Sequence, residues 1–416
     1  MAGREAMAET RLDNGIRVLS EHIAGMRSVA TGVWIRQGGA HEALEHMGAS
    51  HLLEHMVFKG TQRRSALQIA EELEALGGSL DAYTSREHTS YQARVLDEHL
   101  PTALDVLADL VVEPTLRQSD LELEREVVLE EIAQVEDTPD DLVFELHGGR
   151  LWGGHPYGRP ILGSTESVGA MQADTLKQIH ADRYVGQNLV VAAAGNVEHE
   201  DFVERVASHF GGVPEGERTH AVSEPGSTAL GLDRVHRDSA QTHIVFGTRA
   251  PRHSDVDRYP LVLVSSALGG GMSSRLFQRV REEMGLCYSI FTFQSFYRSA
   301  GVLGVYVGTR PATAEQASEA VREELGRVAR EGLGEGGLDR IKQQVRGQVM
   351  LSLESTGSRL HRLASFALHD EPMRGLDDVL QRIDAVTEDD IMRVATRYVT
   401  PDSHFELRLG PTEVAA

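Results

Sequence analysis

Residues 48–61, GASHLLEHMVFKGT, carry two histidines four residues apart, His51 and His55, with Glu54 just before the second. On a helix, positions i and i+4 are about 400° apart, so both imidazoles project from one face. That spacing suits two neutral imidazoles converging on one divalent ion. A catalytic zinc site takes three protein ligands, His₂Glu among the known sets, and keeps a position for water. Glu54 stands beside the pair, placed to accept a proton from such a water rather than to bind metal. Leu52, Leu53, Met56 and Val57 would bury the rest of the helix. The same residues also suit a half-buried helix whose histidines bond carbonyls or water, and the short pattern alone leaves both readings open. Just upstream, HEALEH (41–46) has His41 and His46 five apart. Five residues is about 140° round a helix, so these two cannot share an ion there. This stretch reads as solvated loop-to-helix surface.

A third ligand has to come from elsewhere. The candidate is SDLELEREVVLEEIAQVED (119–137), a helix with a Ser119-x-x-Glu122 capping box. Glu124, Val128, Glu131 and Val135 follow i, i+4, i+7 and i+11, a face that mixes carboxylates with apolar residues. Carboxylates on a packed face are costly unless paired or metal-bound. Glu122, Glu126 and Glu130 read as a solvated acidic face, although the pattern by itself does not separate Glu130 from Glu131.

The elements that must hold these groups are legible in the wider chain. At 416 residues it exceeds a single typical core. Internal similarity is the main organisational signal. ADTLKQIHADRYVGQNLVVAAAGNV (173–197) echoes EDDIMRVATRYVTPDSHFELRLGP (388–411), each an amphipathic helix, RYV, a turn and a β-rich run. A second echo pairs residues 72–104 with 281–314, each a helix end, a turn, two strands and a proline (Pro101, Pro311) opening the next helix. The expected domains are 1–212 and 232–416, joined by a Gly/Pro/Ser-rich linker at 213–231. The expected fold class is α+β: two homologous domains, each a mainly antiparallel sheet with helices packed on one face.

Composition narrows the partners. The 41 basic and 63 acidic residues give a net charge of −22, which opposes nucleic acid. No apolar run approaches the roughly 18 residues of a membrane span. The opening, with Arg4, Glu5 and Glu9, has no apolar region of a secretory signal. Cys287 is the single cysteine, so no intrachain disulfide forms, and the expected location is cytoplasmic.

With these motifs in view, the chain resembles the pitrilysin/insulinase group of zinc peptidases, the inverzincins, whose signature is the His-x-x-Glu-His order. It is most similar to bacterial and mitochondrial processing-peptidase-like chains. The resemblance runs through GASHLLEHMVFKGT, GGSLDAYTSREHTSY, EREVVLEEIAQVEDTPDD, HPYGRPILGS, AAAGNV and RVREEMGLCYS. It implies one Zn²⁺ per chain, held by His51, His55 and Glu131, the last lying 76 residues beyond His55. It implies that Glu124 orients a ligand and that Glu54 is the general base of peptide-bond hydrolysis. On residue type alone, Arg281 reads as a surface ion pair with a nearby glutamate and Tyr288 as a strand core position. The resemblance assigns both instead to gripping substrate. It further implies an edge strand at GGSLDAYTS that takes extended substrate at Asp81 and Ala82. Asp81 stands where the family usually carries Asn, so the amide donor expected there is lacking. GGGMSSR (269–275) is similar to the family's glycine-rich turn. The second half lacks the His-x-x-Glu-His pattern. The resemblance therefore implies a homodimer that encloses a chamber, with Arg281 and Tyr288 of one subunit serving the zinc of the other. The substrates expected are peptides or unfolded polypeptides.

Two other classes are weighed beside an endopeptidase: a non-catalytic scaffold or partner subunit, and a peptide-binding module with structural zinc. Chains of the first class usually lose metal ligands, whereas this one retains His51, Glu54, His55 and Glu131.

Overall fold

The computed structural model describes residues 6–411; Arg4 and Glu5, read above for a leader, lie outside them. The first sheet is built from β1 (Ala6–Arg11), β2 (Arg17–His22), β3 (Ser28–Ile35), β4 (Ser79–Thr84), β5 (Thr89–Leu96) and β6 (Leu189–Gly195). Its order is β1-β2-β6-β3-β5-β4. The second holds β7 (Gly231–His236), β8 (Thr242–Ala250), β9 (Cys287–Phe296), β10 (Gly301–Thr309) and β11 (Phe405–Gly410), in the order β7-β11-β8-β10-β9. With β1 set aside, the two orders coincide strand for strand. Each sheet also has one parallel pair, β2 with β6 and β7 with β11, among antiparallel neighbours. The duplication expected from the two echoes is thus present as topology, and the α+β class holds.

Helices in the first half are α1 (Ala49–Val57), α2 (Ala66–Glu74), α3 (Leu100–Val112), α4 (Gln118–Asp137), α5 (Pro139–Trp152), α6 (Thr165–Ala170), α7 (Ala173–Arg183) and α8 (His199–Phe210). Those in the second half are α9 (Arg258–Gly269), α10 (Ala314–Glu331), α11 (Gly337–Ser352), α12 (Thr356–Leu368), α13 (Leu376–Asp384) and α14 (Glu388–Tyr398). Central strands such as β6, LVVAAAG, are buried along their whole length, as a strand covered on both faces requires. The main core of the first sheet joins Val33, Tyr91 and Val191 to Leu52, Leu53 and Met56 of α1, Leu104 and Leu107 of α3, and Leu121 and Val128 of α4.

Packing is not confined to one face, which corrects that part of the expectation. On the first sheet's other face, Leu19, Ala30, Trp34 and Ala192 pack against Leu360, Leu363, Ala364 and Ala367 of α12. On the second sheet, α5 lies across β8 and β11. Its Phe144 stacks on Tyr306 at 5.5 Å, and its His147 Nε2 bonds Phe405 O at 3.2 Å. A Cβ at Gly247 of β8 would fall 2.2 Å from the His147 ring, so only glycine admits α5 there. The compact units therefore exchange segments. One comprises 1–132, 160–221 and 351–375; the other comprises 133–159, 222–350 and 376–416. The linear division at 213–231 did not anticipate that exchange, because an amphipathic helix pattern does not say which sheet will receive it. Residues 213–221 of the linker belong to the first unit, where Gly186 N donates to Pro214 O and Thr219 N to Asn188 Oδ1, and residues 222–231 belong to the second, where Ala229 N donates to Leu151 O. Among the described residues no helix is long and apolar enough to cross a membrane.

Candidate metal centre

α1 starts where it does for two reasons. Gly48 has φ +90°, and a Cβ there would meet Leu162 O at 2.5 Å, so the turn into the helix needs glycine. The first backbone N–H groups of a helix lack intrahelical partners. Here the buried Glu42 carboxylate accepts from Gly48 N at 2.7 Å and from Ser50 N at 2.6 Å. HEALEH is therefore not simply solvated surface, since its Glu42 caps the helix that carries both histidines. His41 and His46 lie in separate short helical turns, outside the cluster described next.

Burial of Leu52, Leu53, Met56 and Val57 turns His51 and His55 to one side of α1. On α4, burial of Leu121, Val128 and Ile132 turns Glu124 and Glu131 toward them and leaves Glu122, Glu126 and Glu130 exposed. The helix begins at Gln118, so Ser119 sits inside the first turn rather than at the cap, and the expected capping box is not the start signal. Arg117, just ahead of the helix, pairs instead with Asp120 at 2.7 Å.

His51, His55 and Glu131 each offer one ligand atom, all within 4.8 Å of one another. His51 Nε2 is 3.7 Å from Glu131 Oε2, and His55 Nε2 is 3.8 Å from Glu131 Oε1. Both separations are too long for hydrogen bonds. Ligands of one tetrahedral zinc stand about 3.3–3.5 Å apart, so each of the two glutamate–histidine separations is a few tenths of an ångström from that spacing. His51 Nδ1 is buried with no hydrogen-bond partner among the described residues. Burial, then the neighbouring His55, push the His51 pKa down to about 4, so the ring is neutral and its lone pair available at pH 7. The donor set fits a divalent cation such as zinc.

Supporting contacts complete the cluster. His55 Nδ1 donates to Glu124 Oε2 at 3.2 Å, which fixes the tautomer and leaves Nε2 facing Glu131. Lys59 Nζ donates to Glu124 Oε1 at 2.7 Å. Glu54 is buried, and that burial raises its pKa. Thr84 Oγ1 of β4 donates to Glu54 Oε2 at 2.5 Å. Sequence reasoning missed Glu42, Lys59 and Thr84. Two of them carried a signal: Lys59 is i+4 from His55, and Thr84 shares the inward face of β4 with Leu80 and Ala82.

Among the described residues β4 is an edge strand, pairing only with β5. Asp81 is exposed on it and Ala82 half-buried. In the second unit, Arg281 lies in a wide, π-type helical turn over Phe277–Glu283. Its guanidinium stands 4.5 Å over the Phe277 ring and 5.1 Å over that of Tyr288. Its ion pair with Glu282 is long, at 3.8 Å. Tyr288 is 76% exposed, so it is no core position. The glycine-rich stretch forms a turn after α9 with Met272 exposed.

Comparison with known proteins agrees with this architecture. Residues 17–165 match the family model for insulinase (peptidase family M16), and residues 170–345 match that for the peptidase M16 inactive domain. An uncharacterized zinc protease of Mycobacterium leprae is 40% identical over 403 residues, spanning 95% of this chain and 90% of its own. One from Bacillus subtilis is 38% identical over 389 residues, spanning 94% and 95%. Among solved structures, a peptidase M16 inactive domain from Pseudomonas fluorescens superposes with a TM-score of 0.93 at 21% identity, covering 99% of this chain and 100% of that one. A protease from Helicobacter pylori gives 0.90 at 22%, covering 98% and 100%. At those identities the structural likeness is one of fold, while the sequence matches carry the family. The chain belongs to the insulinase family of peptidases, family M16.

Proposed function

We propose that the chain is a zinc-dependent endopeptidase acting on peptides or unfolded polypeptides, with one zinc per chain held by His51, His55 and Glu131. The observation that carries this reading is the gathering of those three donors within 4.8 Å beside a buried glutamate. The names of the related zinc proteases support it. Zinc, when bound, supplies Lewis acidity toward water and the scissile carbonyl. The chain's own residues do the rest. Glu54 takes the proton of the attacking water on a carboxylate oxygen and returns it to the leaving amine. A raised pKa suits that exchange, since a base works best with its pKa nearer the working pH. Extended substrate adds to the open side of β4, where Asp81 presents a carboxylate to a cationic residue and Ala82 the strand backbone. Arg281 and Tyr288 contact the substrate backbone, with Arg281 donating to developing negative charge on the carbonyl oxygen.

The test is a quenched-peptide assay on the chain purified alone, with zinc measured on the same sample. We expect one zinc per chain, cleavage abolished by a chelator, and recovery on adding zinc. Bound zinc without cleavage of any peptide in a varied set would favour a structural metal and sink the enzymatic reading.

A further inference from the structure

The geometry points to Lys59 as a positioning residue of the metal centre, one that sets the register of α4 against α1; this rests on the zinc reading above. Glu124 is nearly buried, and both of its oxygens are committed, Oε2 to His55 Nδ1 at 3.2 Å and Oε1 to Lys59 Nζ at 2.7 Å. His55 lies in the last turn of α1 and Lys59 in the turn just past it, where Lys59 N donates to Met56 O at 3.2 Å, so helix end and turn together present an imidazole and an ammonium to one carboxylate. The backbone is tied at the same place. Lys59 O accepts from Arg117 Nη2 at 3.2 Å, immediately ahead of α4. Gly60 O accepts from Thr115 N at 3.0 Å.

Glu124 and Glu131 lie seven residues apart on one helix, about 10.5 Å along its axis. Holding Glu124 against the end of α1 therefore holds the height at which Glu131 meets His51 and His55. Each residue of slip moves Glu131 by about 1.5 Å, whereas metal–ligand distances tolerate about 0.2 Å. An ammonium has no lone pair, so Lys59 is not itself a ligand. Without it, Oε1 of the buried Glu124 loses its partner, and the carboxylate is free to turn away from His55.

The experiment measures the zinc affinity of the full chain by competition with a chromophoric chelator, alongside thermal unfolding of the metal-free protein. K59M is expected to bind zinc about tenfold more weakly, the lower end of what outer-shell substitutions cost. K59R keeps the charge and is expected within about threefold of the unmodified chain. The metal-free unfolding temperature is expected to be unchanged in K59R and to fall by a few degrees in K59M, which leaves Glu124 Oε1 unpaired. Equal affinity in K59M and the unmodified chain overturns the inference. So does a K59R as weak as K59M, or a K59M that is unfolded without metal at the temperature of the zinc titration. If the unmodified chain binds no zinc, or H51A binds it equally well, the zinc reading itself falls and the inference with it.

Discussion

Among the described residues Glu54 accepts one hydrogen bond, from Thr84 Oγ1 to Oε2, and its other carboxylate oxygen is the one proposed to take the proton. Glu54→Gln is expected to retain zinc and lose about 10²–10⁴-fold in kcat, the usual worth of a general base. Metal analysis showing E54Q empty would place Glu54 among the ligands instead. Thr84→Val removes the hydroxyl at constant shape. It is expected to lower kcat about tenfold, near the worth of one hydrogen bond to a charged group, with Thr84→Ser restoring it. Helical spacing made His51, Glu54 and His55 readable from the sequence. Glu130 and Glu131 were not separable by the residue pattern, because neighbours differ by about 100° and both fit an acidic helix. Burial of Val128 and Ile132 in the core decides between them, turning Glu131 inward.

Among the elements, strand and helix order and the repeat were legible because periodicity and turn residues act locally. The partner of each amphipathic helix was not. α5 shows what that partner does, since the second sheet buries its His147, and His404 is buried just before β11. Burial pushes both pKa values from 6.5 down to about 4. Between those values the unfolded chain binds protons that the folded one refuses, so stability is full above pH 6.5 and falls as acid is added toward pH 4. Each histidine is expected to cost about 2 kcal/mol between pH 7 and pH 5. Denaturant midpoints measured on metal-free protein check this, and an unchanged midpoint across that range would contradict it.

For the whole molecule, we propose a homodimer with a shared active site, in which Arg281 and Tyr288 of one subunit serve the zinc centre of the other. The absence of a second His-x-x-Glu-His from the second half supports this reading. Mixing E54Q chains with R281A chains tests it. Each alone is expected to be inactive, and the exchanged mixture to recover about a quarter of unmodified activity, since half the dimers would carry one intact site of two. No recovery after verified subunit exchange would argue for self-contained subunits. The sequence by itself determined the histidine pair, its neighbouring glutamate, the duplication and the family, because spacing along a helix and repetition along a chain are local facts. Tertiary structure alone decided which sheets α5 and α12 cover, that Glu42 caps α1, and that Lys59 and Thr84 hold Glu124 and Glu54. Those outcomes depend on which buried surfaces meet across long stretches of chain, and no local pattern encodes that choice.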